Sequence, residues 1–290
     1  MVNKSLKNKL SLILSSVLFS LFIGLSINGF ASEKSSGFSS LEEDVESIIG
    51  DNTNYSVFIS TKDGDIGIEE EKVYSSASTI KVPILMEALL QGEQGIINLD
   101  EKITVSDSDI TSGGGIIRHM SANQTLSLRD LLYLMITQSD NTATNMIIER
   151  VGMDSVNQTI AEMGAEDTIL QRYMMESVRP NDNLTSAKDM ATIMQSAFES
   201  DILSSENKEE FLRIMGEGIL SHYRSDRHKD ISNYSKGGSL GSTNVRHNIG
   251  MFTYQDEVVY VSVMSEDAEL KSSRIVMAEI GERVMDYIVE

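Results

Sequence analysis

The chain has 290 residues, 40% of them hydrophobic and 23% charged, with only two prolines, which is the make-up of a compact globular protein rather than a disordered or collagen-like one. Twenty-four Lys and Arg stand against 44 Asp and Glu for a net charge of −20, a field that repels nucleic-acid phosphates and anionic lipid. The lack of cysteine excludes disulfides, thiolate nucleophiles, iron–sulfur clusters and zinc ribbons together.

In chain order, residues 1–31 differ from the rest. Lys4, Lys7 and Lys9 precede an acid-free, mostly apolar run over residues 10–27, and Gly29-Phe30-Ala31 supplies small residues two apart. This pattern predicts a secretory signal peptide cleaved after Ala31, leaving residues 32–290 secreted or on the cell-envelope exterior with no stable membrane insertion. The alternative is an uncleaved anchor at the short limit for spanning a bilayer. Residues 32–40 are polar and Ser-rich and read as a flexible lead-in. Leu41, Val45, Ile48 and Ile49 then mark one face of a helix that ends near Gly50. Residues 54–61 and 65–69 are strand-like, and Lys62-Asp63-Gly64 between them has the turn chemistry of a β-hairpin.

The middle of the chain is helical by period. Leu128, Leu131, Leu132, Met135 and Ile136 follow Ser127 as N-cap, and Met190, Ile193, Met194, Ala197 and Phe198 repeat the spacing. Strand patterns return over residues 233–240, 248–254 and 258–264, before Ile275, Ile280, Val284 and Ile288 predict a closing helix. The fold class is therefore α/β of the α+β kind. One antiparallel sheet is built from both chain ends (about 41–84 and 223–290) and flanked by terminal helices, with an all-helical lobe inserted over about 85–222.

Three stretches carry candidate chemistry. Ser78-Thr79-Ile80-Lys81 sets a serine near a helix start with a lysine one turn later, so both side chains face one way. A serine hydroxyl needs a base to become a useful nucleophile, and an amine serves once burial or a neighbouring cation lowers its pKa. Standing alone, the pair also reads as an N-cap with a solvated lysine. Pro83 is odd there, because it removes a helical donor. Ser139-Asp140-Asn141 lies between two helices and by itself is an ordinary turn; Lys236-Gly237-Gly238 lies on a strand and by itself is a loose edge.

Together, in this order and 61 and 97 residues apart, the three resemble the motif set of class A β-lactamases and penicillin-binding proteins. Ser112-Gly113-Gly114-Gly115 and residues 136–145 are further similar stretches. The resemblance implies a β-lactamase/transpeptidase-like fold across the mature chain, with Ser78 as nucleophile, Lys81 as its proton acceptor and Ser139 as the shuttle to the leaving nitrogen. It also implies that Asn141 contacts a substrate amide, that Lys236 supplies a cation, and that the strand residues Gly238 and Ser239 line the substrate. The backbone N–H groups of Ser78 and Ser239 would form the oxyanion hole. Arg246, ten residues past Lys236, falls where the family often has a carboxylate-binding arginine. No metal or organic cofactor is implied. The implied partner is a small β-lactam or a peptidoglycan-related amide or ester, bound by a monomer, with no nucleic acid involved.

Two departures from the family pattern bear on function. Gly237 stands where a hydroxyl residue usually follows the lysine, which leaves carboxylate recognition to Arg246 and Ser239. In the loop before Pro180-Asn181-Asp182, residues 164–172 match the family spacing, but Met174 stands where the deacylating glutamate is expected, and the loop is about two residues shorter. Glu176 is the nearest acid in that loop. The resulting expectation is a secreted active-site-serine hydrolase with slow deacylation. The alternatives are a penicillin-binding covalent receptor or a cell-wall D,D-peptidase or esterase. Two other readings compete. Gly237-Gly238-Ser239-Leu240-Gly241 matches the G-x-S-x-G nucleophile elbow, which requires a helix immediately after the strand. His222 and His228, with Asp226 and Asp230, read as a polar loop rather than a metal site.

Overall fold

The computed structural model describes residues 35–290 except 122, 178–180, 219–220 and 224–226, so the predicted leader and Pro180 lie outside the described residues. The first helix, α1 (Ser36–Ile49), begins earlier than its apolar face suggests. Ser35 Oγ caps the Phe38 N–H at 3.2 Å, and Phe38 is fully buried, so residues 36–40 belong to the helix and not to a flexible lead-in. The hairpin follows as β1 (Tyr55–Thr61) and β2 (Gly64–Ile68), then a two-residue strand β3 (Tyr74–Ser75) and a 3₁₀ turn over Ala77–Ile80.

The turn runs into α2 (Lys81–Glu93), buried on nearly every side as befits a central helix. Pro83 is no anomaly in this setting, because it sits in the first helical turn, where the backbone N–H groups have no intrahelical acceptor. Around α2 lie β4 (Lys102–Thr104), β5 (Thr125–Ser127), α3 (Leu128–Thr137), α4 (Asn141–Val151), α5 (Met153–Glu162), β6 (Leu184–Thr185), α6 (Ala187–Glu199) and α7 (Ser205–Gly216). Ser127 and Asp130 form a full capping box on α3. The inserted lobe is not purely helical. β4 pairs with β5, and β6 returns to pair with β3, giving two short antiparallel ribbons.

The chain closes with β7 (Ser232–Leu240), β8 (Val245–Tyr254), β9 (Glu257–Ser265) and α8 (Leu270–Ile288). The five strands form one antiparallel sheet in the order β2-β1-β9-β8-β7, and the chain ends meet where Val57 pairs with Val263. Alternation along β9 serves two cores at once. Val259, Val261 and Val263 pack with Phe38, Val45, Ile280 and Val284 under α1 and α8, while Tyr260 and Met264 join the core around α2 and α6. Ile275 is a misreading of the α8 face, since it is 50% exposed and the buried stripe runs through Met277, Ile280, Val284 and Ile288.

Candidate active site

The 3₁₀ turn ahead of α2 is held from both sides. The Ser76 N–H donates to Asn183 O at 2.7 Å, and Thr79 Oγ1 donates to Ser76 O at 2.7 Å. Between them Ala77 adopts φ +47°, a left-handed conformation unfavourable for a residue with a Cβ, and this sharp entry leaves Ser78 half-buried at the wall of a cavity of about 770 Å³. Ser78 Oγ makes no hydrogen bond to another described residue. Gly238 on β7 passes directly behind the serine, where a Cβ would stand 3.0 Å from the Ser78 nitrogen, so any side chain there would press on the turn. Ser239 follows at the cavity wall, paired in the sheet with Arg246 of β8.

Lys81 lies one turn on and is completely buried. Its Nζ donates to Ser139 O at 2.8 Å and to Asn141 Oδ1 at 2.9 Å, and lies 3.1 Å from Ser139 Oγ. Lys236, also buried, donates to Gly237 O at 2.6 Å and to the same Ser139 hydroxyl at 3.2 Å. Burial, with the nearby Lys236 charge second, holds the Lys81 ammonium well below the ordinary lysine range, and burial brings Lys236 to about 7. As a neutral amine, Lys81 has two N–H groups for the two acceptor-only oxygens and one lone pair for a hydroxyl hydrogen. In this arrangement the lone pair meets Ser139, and the direct hydrogen bond between Lys81 and Ser78 is not formed.

Ser139 takes φ +51° at the turn between α3 and α4. The turn is locked by the middle residue of the motif, to which the sequence alone assigns no role. Asp140 is buried, its Oδ2 accepts the Ile116 and Ile117 N–H groups at 2.6 and 2.8 Å, and its Oδ1 caps α4 at Ala143. Gly115 is required there, because a Cβ at that position would collide with Asp140, backbone included. Asn141 is oriented at both ends, by Lys81 and by donation from Nδ2 to Ser112 O at 2.9 Å.

The opposing wall carries Met174 and Met175, and nearby Arg172 is paired with Asp182 at 2.6 Å. Asn145 clamps the Met174 backbone, accepting its N–H at 2.7 Å and donating to its carbonyl at 3.2 Å, so the Met174 side chain is buried against the cavity. Met175 is 54% exposed at the mouth with φ +68°. Glu176 turns away. Its carboxylate is exposed and accepts the Tyr173 N–H at 3.1 Å, and it lines no part of the cavity.

Arg246 reaches the cavity together with two residues that the motifs did not bring to it, His222 and Arg274. Nothing local in the sequence marks Arg274, because it enters from the first turns of α8, at the far end of the chain. His222 and His228 do not converge. His222 faces Arg246, whereas His228 Nε2 lies 2.7 Å from Asp286 Oδ1. Asp226 lies outside the described residues. The G-x-S-x-G stretch lies within β7 and its turn into β8 and leads to no helix, so it lacks the context of a nucleophile elbow.

A family model described as the beta-lactamase enzyme family matches residues 40–288. β-Lactamase BRO-1 of Moraxella catarrhalis is 31% identical over 91 residues, 31% of this chain and 29% of that protein. β-Lactamase PSE-4 of Pseudomonas aeruginosa is 27% identical over 159 residues, 53% of this chain and 54% of that protein. The chain thus spans about half the length, or less, of these curated relatives. The crystal structure of a β-lactamase from Sphaerobacter thermophilus superimposes with a TM-score of 0.79 at 25% identity, covering 87% of this chain and 98% of that one.

Proposed function

Because the chain belongs to the β-lactamase enzyme family, its model match running over residues 40–288, we propose that it attacks β-lactam amides through Ser78 and releases the resulting acyl-enzyme slowly. The observation that carries this reading is the shared Ser139 hydroxyl, 3.1 Å from Lys81 and 3.2 Å from Lys236 beside an unencumbered Ser78. In the acylation step Ser78 Oγ bonds to the lactam carbonyl carbon and its proton passes to neutral Lys81. The C–N bond then breaks, Ser139 gives its proton to the departing nitrogen, and Lys81 returns one to Ser139, so charge and protons balance. The tetrahedral oxyanion would be met by the N–H groups of Ser78 and Ser239, donors fixed before charge develops. Lys236 and Arg246 supply the cations for a substrate carboxylate.

Hydrolysis of the ester is the weak half. A water attacking the acyl carbon needs a base, and the Met174 thioether at the cavity wall cannot take that proton usefully. General-base catalysis is worth about 10² to 10⁴ in rate, so its loss makes deacylation the slow step. The same observation favours a second reading, a penicillin-binding receptor or D,D-peptidase in which the long-lived adduct is the functional state. Export of the chain by the residue 1–31 leader is part of the proposal.

Intact-protein mass spectrometry after mixing with benzylpenicillin tests the proposal. The expected result is a burst of one penicilloyl group on Ser78 that persists. Rapid steady-state turnover without adduct would overturn slow release, and neither adduct nor turnover would overturn the acyl-enzyme itself.

A further inference from the structure

Arg246 is 93% buried, by its 7% exposure, yet its guanidinium meets no carboxylate among the described residues, and its Nε has no hydrogen-bond partner there. A buried cation in a protein with a net charge of −20 would ordinarily be paired. Its one side-chain hydrogen bond among the described residues is unusual in kind: Nη1 lies 3.1 Å from His222 Nε2. An arginine can only donate, so the imidazole accepts, which fixes His222 as the neutral tautomer carrying its proton on Nδ1.

The imidazole is also held in place. The His222 N–H donates to Asn248 Oδ1 at 3.1 Å, and the next residue, the buried Tyr223, donates from its hydroxyl to Asn248 O at 2.6 Å. Asn248 is two residues along β8 from Arg246, so His222 and Arg246 share one rigid base. Burial first, then the charges of Arg246 and Arg274, keeps the ring at about 4, so it stays neutral over ordinary pH.

Resting on the reading of the site as one that binds a substrate carboxylate, we propose that His222 is the positioning residue for Arg246: by occupying Nη1 it fixes the guanidinium at the cavity wall with its other donors free for that carboxylate. His222, itself at the cavity wall, then acts on the acid group through Arg246 and not on the reacting bond. Its loss should weaken recognition of the acid group and leave the chemical step alone.

The test compares acylation by benzylpenicillin and by its methyl ester in wild type, His222→Leu and His222→Gln, the last keeping an acceptor oxygen near the place of Nε2. For His222→Leu the apparent KM for the acid should rise about tenfold, the scale of one hydrogen bond to a charged group. The limiting acylation rate and the ester kinetics should stay within about twofold, and His222→Gln should recover most of the loss. Equal effects on acid and ester, or none on either, would overturn the role of His222 alone. A wild type that acylates with neither compound would overturn the reading of the site. A readout independent of activity is the ¹⁵N spectrum of His222, which should show a proton on Nδ1 and a bare Nε2 at pH 7. The opposite tautomer would overturn the proposal even if His222→Leu failed to fold.

Discussion

Beneath α1 and α8 the sheet meets its helices with Val57, Val259, Val261 and Val263 against Phe38, Val45, Ile280 and Val284, all essentially without solvent. Where β7 and β8 pass the start of α2, the same sheet helps to bury Lys236, Arg246 and Lys81, none of them ion-paired with a carboxylate among the described residues. The first region gains free energy with every apolar area removed from water. The second costs free energy for each ammonium or guanidinium taken out of it, and the cost is reduced only when a lysine gives up its proton or an anion arrives. The comparison separates where the fold gets its stability from where it keeps its buried basic groups, and Lys236 and Arg246, without a carboxylate partner among the described residues of an acidic protein, define what that seam is ready to receive.

If that division is right, Ser78→Ala removes acylation, by about 10⁴-fold or more, and leaves the melting temperature nearly unchanged. Ser78 Oγ makes no hydrogen bond to a described residue, so nothing in the seam depends on it for packing. Intact mass after penicillin treatment and a thermal melt check both halves, and a large drop in stability would break the comparison. The converse is Phe38→Ala on the apolar side. Removing a fully buried aromatic ring there should cost about 3–5 kcal/mol in denaturant unfolding, while the acylation rate per folded molecule stays the same.

A pH profile sharpens the same contrast from within the seam. Lys81 must be neutral to take the Ser78 proton, so acylation should rise with pH, about tenfold per unit until Lys81 has lost its proton well below the ordinary lysine value of 10.5. Lys236 must instead be charged to hold a carboxylate. With burial bringing it to about 7, kcat/KM of acylation for an acid substrate should fall again above that pH, whereas a methyl ester should lack the falling limb. Rapid-quench acylation between pH 5 and 9 reads both limbs. A flat profile would assign the proton to a base other than Lys81.

Legibility in the sequence divided along the same line. The apolar side was readable because its signals are local: the period of Leu128, Leu131, Leu132 and Ile136 behind Ser127, or the alternation along β9. Ile275 was read wrongly because it sits on an apolar helix position whose neighbours turn to solvent. In the seam, Ser78, Lys81, Ser139 and Lys236 stood out only as an ordered set, and the structure brings those four together at the cavity. Asp140, Asn145, His222 and Arg274 act through contacts made 24 to 29 residues away or between distant elements, and no periodicity encodes such meetings. The left-handed turns at Ala77, Ser139 and Met175 were equally hidden, because none of these residue types favours positive φ.

Those turns supply the smallest effect and the finest cut between the two regions. Met175 at φ +68° carries a cost of about 1–2 kcal/mol for its Cβ, and its side chain is 54% exposed, so Met175→Gly relieves strain and forfeits little packing. Glycine returns about 0.5–1 kcal/mol of that gain through the entropy of the unfolded chain. The net expectation is a stabilisation of roughly 0.5–1 kcal/mol in urea unfolding, with Ser78 acylation unaffected. Ala77→Gly relieves a similar strain at φ +47°, but Ala77 is buried beside Ser78, with Gly238 so close behind the turn that a Cβ added there would stand 3.2 Å from the Ala77 Cβ. There the same substitution should also raise stability or leave it level, yet slow acylation, because the strained entry is what aims the hydroxyl. If Ala77→Gly acylated at the wild-type rate, strain next to Ser78 would be incidental, and the division between a region built for stability and one built for reactivity would not extend to the backbone.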